Sequence, residues 1–313
     1  SRRVSPRTEF ASMPRTAALC LTGQPRSFAY TWSNLTQHIL HANSETQFDI
    51  VMVSAAEEAD TRAGGGDPRK GNAFCREPNV RSCEWLLAPT DLPSLSLVDS
   101  FAASGSASAA AREKVRQAKD GHGHLLRGYS FANAMHKQHI CWSEFHRRRE
   151  HATDNHPFYY IGLRFDLELT GPLSLSQLDL KDNLYVGPHA NQNTGPPAHR
   201  IATLRVSVPD FMVVADWERF TIWMTRGIAY ELLYLPPPRS LRGSPGVPDR
   251  FPMLHAPEAF LARWLYLNGI THGQPSNNVS VLPGGASVLL VRPPGWPKAD
   301  CEAPGRRWLA KCL

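Results

Sequence analysis

Three charged residues at alternate positions, Arg164, Asp166 and Glu168, form the pattern in this sequence that is most suited to chemistry. They end an aromatic and apolar run of strand-forming composition at residues 158–169. Side chains at alternate positions of a β-strand share one face, so one cation and two carboxylates would project together. Carboxylate oxygens bind hard divalent cations together with substrate phosphates, and the arginine fork pairs with phosphate. The pattern predicts a metal- and phosphate-binding site; the alternative is a solvated ion pair where the strand leaves the core.

A second candidate region lies near the start of the chain. Residues 17–22 predict a buried strand that ends at Gly23, and Ser27 is expected to cap a helix that continues to residue 40. A strand, a glycine-containing turn and a helix are the usual opening of a nucleotide-binding α/β domain, although no GxGxxG motif or Walker lysine is present. Arg26 stands in this turn, where it would reach a phosphate; the alternative is an exposed turn residue.

The elements between these two regions extend the strand–helix alternation. Residues 48–54 predict a second core strand, parallel to the first through a right-handed crossover. Residues 55–73 and 100–111 predict loops because they are rich in glycine and other small residues. Apolar residues spaced three and four apart predict a long amphipathic helix at about residues 125–149. Lys137 on this helix is a candidate ligand contact, with a rim position as the alternative.

Carboxylates recur in the second half of the chain. A strand predicted at residues 206–215 carries Asp210, and Asp216 is expected to cap a helix that continues to about residue 235. Glu258 follows a proline that favours the first turn of a helix. Helix capping for Asp216 and the preference of acids for helix N-termini for Glu258 are structural alternatives to a chemical role.

The order of these elements predicts an α/β fold with a mostly parallel central sheet flanked by helices. Short strands are also expected at residues 183–188, 279–282 and 287–291, the last two as a possible hairpin. The chain is accordingly divided into a basic flexible segment at residues 1–16, a single catalytic domain at residues 17–291 and a loop-like tail at residues 292–313.

Composition narrows the function class. The 313 residues are 42% hydrophobic and 20% charged, which is typical of a globular chain. Half of the formal net charge of +6 lies in the first sixteen residues, so the remainder is only mildly basic and lacks the stripe of a nucleic-acid groove. No apolar stretch of about 18 residues exists to span a membrane. Since the chain does not begin with Met, we expect any membrane anchor to lie upstream of it.

Cysteines and sequons indicate the compartment. Cys20 and Cys141 lie in apolar runs and are expected to be core thiols. The other four are expected to close two local disulfides, Cys75 with Cys83 and Cys301 with Cys312. Two glycosylation sequons begin at residues 34 and 278. Together these features favour a secretory-pathway lumen such as the Golgi, and the cytoplasm is the alternative.

Four blocks of this sequence resemble, in order, those of GT-A type nucleotide-sugar-dependent glycosyltransferase-like proteins found in algae, plants, bacteria and large viruses. The blocks are residues 19–28 (LCLTGQPRSF), 159–168 (YYIGLRFDLE), 208–213 (VPDFMV) and 255–258 (HAPE). The combination of Gly-Gln-Pro-Arg with Arg-x-Asp is the more specific part of the resemblance. Gly162 departs from the pattern, since the family often has another arginine there. Glu168 stands where a strict Asp-x-Asp motif would place an aspartate.

The resemblance implies a Rossmann-like GT-A fold that transfers a hexose or pentose from a nucleotide-sugar to a glycan or glycoprotein acceptor. It implies Mn²⁺ or Mg²⁺ held by Asp166 and Glu168, which would stabilise the departing nucleotide. The donor-binding candidates are Gly23, Gln24, Arg26 and Arg164, joined by Lys137 from the long helix. If the reaction inverts configuration, a carboxylate must accept the acceptor proton, and the candidates are Asp210, Glu258 and Asp216.

Two other functions are compatible with the same residues. A non-catalytic glycan- or nucleotide-binding relative would keep the fold and lose the metal, which the changes at Gly162 and Glu168 permit. A metal-dependent phosphoryl or nucleotidyl transferase would use the same acids with a nucleoside triphosphate.

Overall fold

Two β-sheets and the helices that cover the larger one form the structure, a computed structural model. It describes residues 15–23, 25–55, 73–88, 128–151, 156–188, 204, 208–226, 257–283, 286–292 and 310–312. Several expectations lie outside these residues: the N-terminal segment up to residue 14, Gln24, the loops at 56–72 and 100–111, and the Cys301–Cys312 disulfide.

The strands of the described residues form one large sheet and one small sheet. They are β1 (Arg15–Thr22), β2 (Thr46–Ala55), β3 (Val80–Ala88), β4 (Tyr159–Arg164), β5 (Leu167–Leu169), β6 (Asn183–Val186), β7 (Met212–Ala215), β8 (Asn278–Val281), β9 (Val288–Arg292) and β10 (Ala310–Cys312). The large sheet has the order β3-β2-β1-β4-β7-β6-β8, and the small sheet has the order β10-β9-β5.

The large sheet is mostly parallel, as the sequence predicted. Strand β1 pairs in parallel with β2 on one side and with β4 on the other, and β2 pairs in parallel with β3. Strand β7 is antiparallel to both β4 and β6, while β6 and β8 are parallel. Six of these seven strands therefore point the same way, and their carboxyl ends meet at one edge of the sheet.

Helices cover both faces of the large sheet. The α-helices of the described residues are α1 (Phe28–Leu35), α2 (Gly128–His151), α3 (Trp217–Met224) and α4 (Pro257–Leu267). In β1, Leu19 and Leu21 face a core shared with α1, whereas Cys20 faces a second core shared with α2, α3 and α4. Because successive strand residues point to opposite faces, a strand covered on both sides is apolar along its buried length, and residues 17–21 of β1 show this pattern.

The segment that contains Arg164, Asp166 and Glu168 is two strands rather than one. Strand β4 ends at Arg164, the chain turns at Phe165 and Asp166, and β5 then joins the small sheet beside β9. The backbone amide of Val291 in β9 donates to the carbonyl oxygen of Asp166 at 2.8 Å, which fixes this change of sheet. The single-strand prediction was wrong because aromatic and aliphatic composition does not reveal where a strand leaves its sheet.

Other predictions near the ends of elements also need correction. Ser27 makes no side-chain cap for α1; its hydroxyl instead donates to the carbonyl oxygen of Val291 at 2.9 Å. Of the strand predicted at residues 206–215, the described residues 208–215 form a strand only in β7. The two late strands do not form a hairpin, because β8 pairs with β6 and β9 pairs with β5. The tail contains β10, parallel to β9.

The cysteines give one confirmation and one correction. Cys75 and Cys83 form the expected disulfide. Cys20 and Cys141, expected to be separate thiols, form a second disulfide that joins β1 to α2 with a Cα–Cα distance of 6.2 Å. This separation lies within the range that a disulfide requires. Sequence spacing could not reveal the pair, since its members lie 121 residues apart.

Both sequon asparagines use their amides for structural hydrogen bonds. The Nδ2 of Asn34 donates to the carbonyl oxygen of Leu169 at 3.0 Å, and its Oδ1 accepts from the amide of the same residue at 2.7 Å. The Nδ2 of Asn278 donates to Asn183 and Ser280. A glycan on the nitrogen of Asn278 would replace one of the two N–H groups that make these contacts. None of the described helices is long and apolar enough to cross a membrane.

Candidate active site at the carboxyl ends of the strands

The candidate site lies where the order of the large sheet reverses. The chain proceeds from β1 to β2 and β3 on one side, and β4 then takes the place on the other side of β1. In open α/β sheets, ligands bind in the crevice at such a point, outside the carboxyl ends of the strands. Gly23 follows β1 here with a φ of 115°, a conformation that residues with a Cβ rarely adopt. The sheet thus brings the ends of β1 and β4 together, as the sequence predicted for Gly23 and Arg164.

Lys137 reaches this edge from α2. Its side chain is buried at 5% exposure, and Nζ donates to the carbonyl oxygen of Gly23 at 3.5 Å. Cys141, one helical turn later on the same face, is bonded to Cys20 of β1. Helix α2 therefore runs antiparallel to β1, and the disulfide fixes the face that carries the lysine. Lys137 is therefore buried beside the end of β1 and is not exposed at a rim.

Arg164 and Asp166 form a bidentate ion pair at the end of β4. Nε of Arg164 donates to Oδ1 of Asp166 at 2.9 Å, and Nη2 donates to Oδ2 at 2.7 Å. The guanidinium also lies over the ring of Phe211, 5.5 Å from its centroid. Burial alone would lower the pKa of Arg164, but the charge and hydrogen bonds of Asp166 outweigh burial and raise it. Arg164 is accordingly a cation held at the edge of the sheet where the carboxyl ends of the strands meet.

Asp210 and Glu258 approach this cation from two other elements. Met212 pairs with Leu163 in the antiparallel β4–β7 ladder, so the residues just before β7 lie at the same edge as Arg164. The amide of Val208 donates to the carbonyl oxygen of Glu258 at 3.0 Å, which joins this segment to the first turn of α4. The structure thereby brings two of the three predicted proton acceptors together.

The two carboxyl groups hold protons more tightly than free carboxyl groups. Burial raises the pKa of Asp210, against the opposing charges of Arg226 and Arg164. Burial, with repulsion from Asp210, raises the pKa of Glu258 to about 7. Acid–base groups work best when their pKa lies near the working pH, so Glu258 is suited to accept or donate a proton at neutral pH.

Arg226 is a member of this cluster that the sequence did not indicate. It is buried just beyond α3, with its guanidinium 5.1 Å from the ring centroid of Trp223. Burial lowers its pKa to about 10, opposed by the charge of Asp210. The sequence placed it inside a helix predicted to continue to about residue 235, where an arginine is usually solvated. The structure instead makes it a buried countercharge for Asp210.

Asp216 is placed away from the other candidates. It lies at the far end of β7, where Ala215 pairs with Tyr160 near the amino end of β4. Its Oδ1 accepts from the backbone amide of Arg219 at 2.9 Å as the N-cap of α3, and its carboxylate also pairs with the Arg219 guanidinium. The capping prediction is confirmed, and this position does not support a role beside Arg164.

The remaining predicted site residues are only partly described. The backbone of Arg26 lies in a 3₁₀ turn that follows β1, at the same edge; its side chain, like the whole of Gln24, lies outside the described residues. Glu168 lies in β5 opposite Leu289.

Asp166, one of the two carboxylates predicted to hold a metal, is paired with an arginine in the structure. Both oxygens of Asp166 accept hydrogen bonds from Arg164. Within the described part of the chain, no three histidine, cysteine, aspartate or glutamate side chains form a group able to hold a metal ion.

The packing around Gly162 accounts for the absence of an arginine at this position. A Cβ at this position of β4 would lie 3.0 Å from Cγ1 of Val213 and 3.4 Å from the ring of Phe220. The backbone of β4 is therefore packed directly against β7 and α3, and an arginine side chain has no space there.

Comparison of the chain with models of known protein families gives no match, and neither does comparison with curated protein sequences. The function is therefore argued from the geometry and charge of the site.

Proposed function

We propose that the protein is a glycosyltransferase that transfers a sugar from a nucleotide-sugar donor to a glycan or glycoprotein acceptor. The observation that supports this best is the meeting of two kinds of group at the switch point of the sheet. Cationic groups that suit a diphosphate, Lys137 and Arg164, lie at the ends of the central strands. Carboxyl groups that suit proton transfer, Asp210 and Glu258, face the same arginine.

The donor would bind with its diphosphate beside Gly23 and Arg164. Glycine at the end of β1 leaves room for a phosphate to approach the backbone. Among the described residues, chain neighbours apart, no atom lies within 4 Å of the place where a Cβ would stand. Charge-assisted hydrogen bonds to phosphate are shorter and stronger than neutral ones. Stabilising the diphosphate as it leaves lowers the barrier, because its negative charge grows in the transition state.

The carboxyl pair supplies the proton acceptor for an inverting transfer. The acceptor oxygen bonds to the anomeric carbon as the bond from that carbon to the diphosphate oxygen breaks. The diphosphate departs with the electron pair, and the acceptor proton passes to the carboxylate of Glu258. Asp210 raises the proton affinity of Glu258 through repulsion, so Glu258 is the favoured base and Asp210 the residue that tunes it.

The two disulfides support a proposal about location. Disulfides persist in oxidising compartments and are rare in the cytosol. We place the protein in such a compartment, with the Golgi lumen as the specific proposal because nucleotide-sugar transfer to glycans takes place in the secretory pathway.

The test is a thermal-shift screen of the purified chain with UDP, GDP and CMP and with the corresponding nucleotide-sugars. A ligand that binds the folded state raises the unfolding midpoint by mass action. We expect UDP or GDP to raise the midpoint, and the Arg164→Ala variant to lose that shift. If none of the three nucleotides or their sugars shifts the midpoint, the proposed donor site is refuted.

A further inference from the structure

We infer that the donor site neutralises its diphosphate with side-chain cations and without a bridging divalent metal, and that Asp166 is the residue that positions Arg164. This inference rests on the proposed function. The Arg-x-Asp-x-Glu pattern predicted that Asp166 and Glu168 bind a metal ion. The inference instead assigns to Asp166 the role of orienting Arg164.

The first argument is the state of the Asp166 carboxylate. A divalent ion of the size of Mg²⁺ requires carboxylate oxygens at about 2.0–2.1 Å. The side chain of Asp166 is only 4% exposed, and the guanidinium of Arg164 binds both of its oxygens. A metal at these oxygens would either displace the guanidinium or bind beside it on the remaining lone pairs. The loss of two charge-assisted hydrogen bonds opposes the first arrangement, and Coulomb repulsion from the neighbouring guanidinium opposes the second.

The second argument is that Arg164 is the accessible member of the pair. Its side chain is 34% exposed, against 4% for Asp166. The ion pair uses two of the roughly five N–H donors of a guanidinium, and the ring of Phe211 supports one face of the plane. The guanidinium is thus held in one orientation with further donors, which is the arrangement that bidentate phosphate recognition requires.

The third argument is the anchoring of the turn that carries Asp166. Its carbonyl oxygen accepts from Val291 of β9 at 2.8 Å, and the hydroxyl of Thr31 in α1 donates to the carbonyl oxygen of Phe165 at 2.6 Å. Two neighbouring carbonyl groups are therefore held by different elements. A carboxylate fixed in this way orients its partner, and the arrangement explains why Asp166 follows Arg164 at a spacing of two.

Lys137 supplies a second cation without a metal. Its Nζ donates to the carbonyl oxygen of Gly23 at the end of β1, and its helix is linked to β1 by the Cys20–Cys141 disulfide. Alternation along β4 places Arg164, like Tyr160, on the face of the sheet that α2 covers. A diphosphate beside Gly23 and Arg164 would therefore have both cations on that face.

The test is calorimetric titration of the wild-type chain with UDP and with GDP, once with Mn²⁺ and once with a chelator. For whichever nucleotide binds more tightly, we expect the dissociation constant with Mn²⁺ and the dissociation constant with chelator to agree within about threefold. This corresponds to a difference in binding free energy below about 1 kcal/mol. A dissociation constant that improves by about tenfold or more with Mn²⁺ would overturn the inference and leave the proposed function standing. Failure of both nucleotides to bind in both buffers would instead overturn the proposed function and this inference with it.

Variants of Arg164 and Asp166 distinguish two roles for the Asp166 carboxylate: positioning Arg164 and binding a metal ion. Arg164→Ala should weaken binding about 10- to 100-fold in chelator, from the loss of charge-assisted hydrogen bonds. Asp166→Asn should weaken binding by a similar factor in both buffers, because Arg164 is no longer oriented. If Asp166→Asn weakens binding only in the Mn²⁺ buffer, the carboxylate is a metal ligand and the inference fails.

The matched control is a second arginine–aspartate pair at the other edge of the sheet. Arg81 binds both oxygens of Asp49 near the amino ends of β2 and β3. Arg81→Ala removes an equivalent pair away from the site and should leave the dissociation constant unchanged. If Asp166→Asn does not fold, Arg164→Lys keeps the test decisive, because lysine retains the charge and lacks the fork: unaltered binding would contradict the requirement for an oriented guanidinium.

Discussion

Replacement of Glu258 by glutamine tests the environment of the proposed base through protein stability. The folded protein holds the pKa of Glu258 at about 7, against an ordinary value of 4.5. Between these values the unfolded chain has released its proton and the folded chain retains it. Unfolding then releases a proton, so the stability of the wild-type protein falls as pH rises through this window.

The size of the effect follows from the shift. A rise in the pKa of Glu258 from 4.5 to about 7 corresponds to about 3 kcal/mol in total. Most of this falls between pH 5 and pH 8, although a free glutamate has already begun to titrate at pH 5. Glutamine keeps the shape of the protonated side chain and carries no charge at either pH. The free energy of unfolding of Glu258→Gln, relative to wild type, should therefore increase by about 2–3 kcal/mol from pH 5 to pH 8.

The assay is equilibrium urea unfolding of both proteins at the two pH values. Glu218→Gln is the matched control, since Glu218 is also the second residue of a helix, in this case α3, and is exposed. Its stability relative to wild type should differ little between the two pH values. If the Glu258→Gln difference also stays constant with pH, the raised proton affinity of Glu258 is refuted, and with it the reason for preferring this residue as the base.

Three further predictions concern elements around the site. Gly162→Ala should destabilise the fold by about 1–3 kcal/mol in urea unfolding, because its Cβ would press on Val213 at 3.0 Å; an unchanged midpoint would show that β4 and β7 move apart readily. Asp216→Ala should lower stability by about 1 kcal/mol through loss of the α3 cap and leave nucleotide affinity unchanged, whereas a large loss of affinity would place Asp216 in the site. Replacing Cys20 and Cys141 together by alanine should cost up to about 5 kcal/mol, since the bond closes a loop of 121 residues. Unfolding that is insensitive to this change would show that the two sulfurs are not bonded in solution.

The alternation of strands and helices was predictable because local pattern carries it. The run at residues 17–21 is apolar at every position, and a strand buried on both faces requires that composition. The helix at residues 128–151 has apolar residues three and four apart, which only a helix places on one face. Asp216 capped α3 as predicted because a cap depends on residues within one turn.

The features that escaped prediction depend on contacts between distant parts of the chain. The turn at Asp166 is fixed by Val291, 125 residues later in the sequence. The Cys20–Cys141 bond requires α2 to lie antiparallel to β1, which no local pattern specifies. Arg226 became a buried cation because Asp210 lies beside it.

The candidate site also combines features that local sequence predicts with features that depend on the folded structure. The Arg-x-Asp pattern placed an arginine and an aspartate at the end of a strand, and the structure shows them there as an ion pair. The role of these residues could not be predicted from their spacing in the sequence. Alternate positions allow two carboxylates to bind one metal ion, and they equally allow one carboxylate to form an ion pair with the arginine. The bidentate geometry of Arg164 and Asp166 favours the second arrangement.

The most direct test of the central claim is the release of nucleotide from nucleotide-sugars. The purified chain would be incubated with UDP-sugars and GDP-sugars in the presence of mixed glycan acceptors, and free UDP or GDP would be measured. We predict that one donor class is consumed by the wild-type protein, and that Arg164→Ala and Glu258→Gln each lose most of this activity. If the wild-type protein binds a nucleotide and releases none from any donor, it is a binding protein of this fold and the claim of sugar transfer is contradicted.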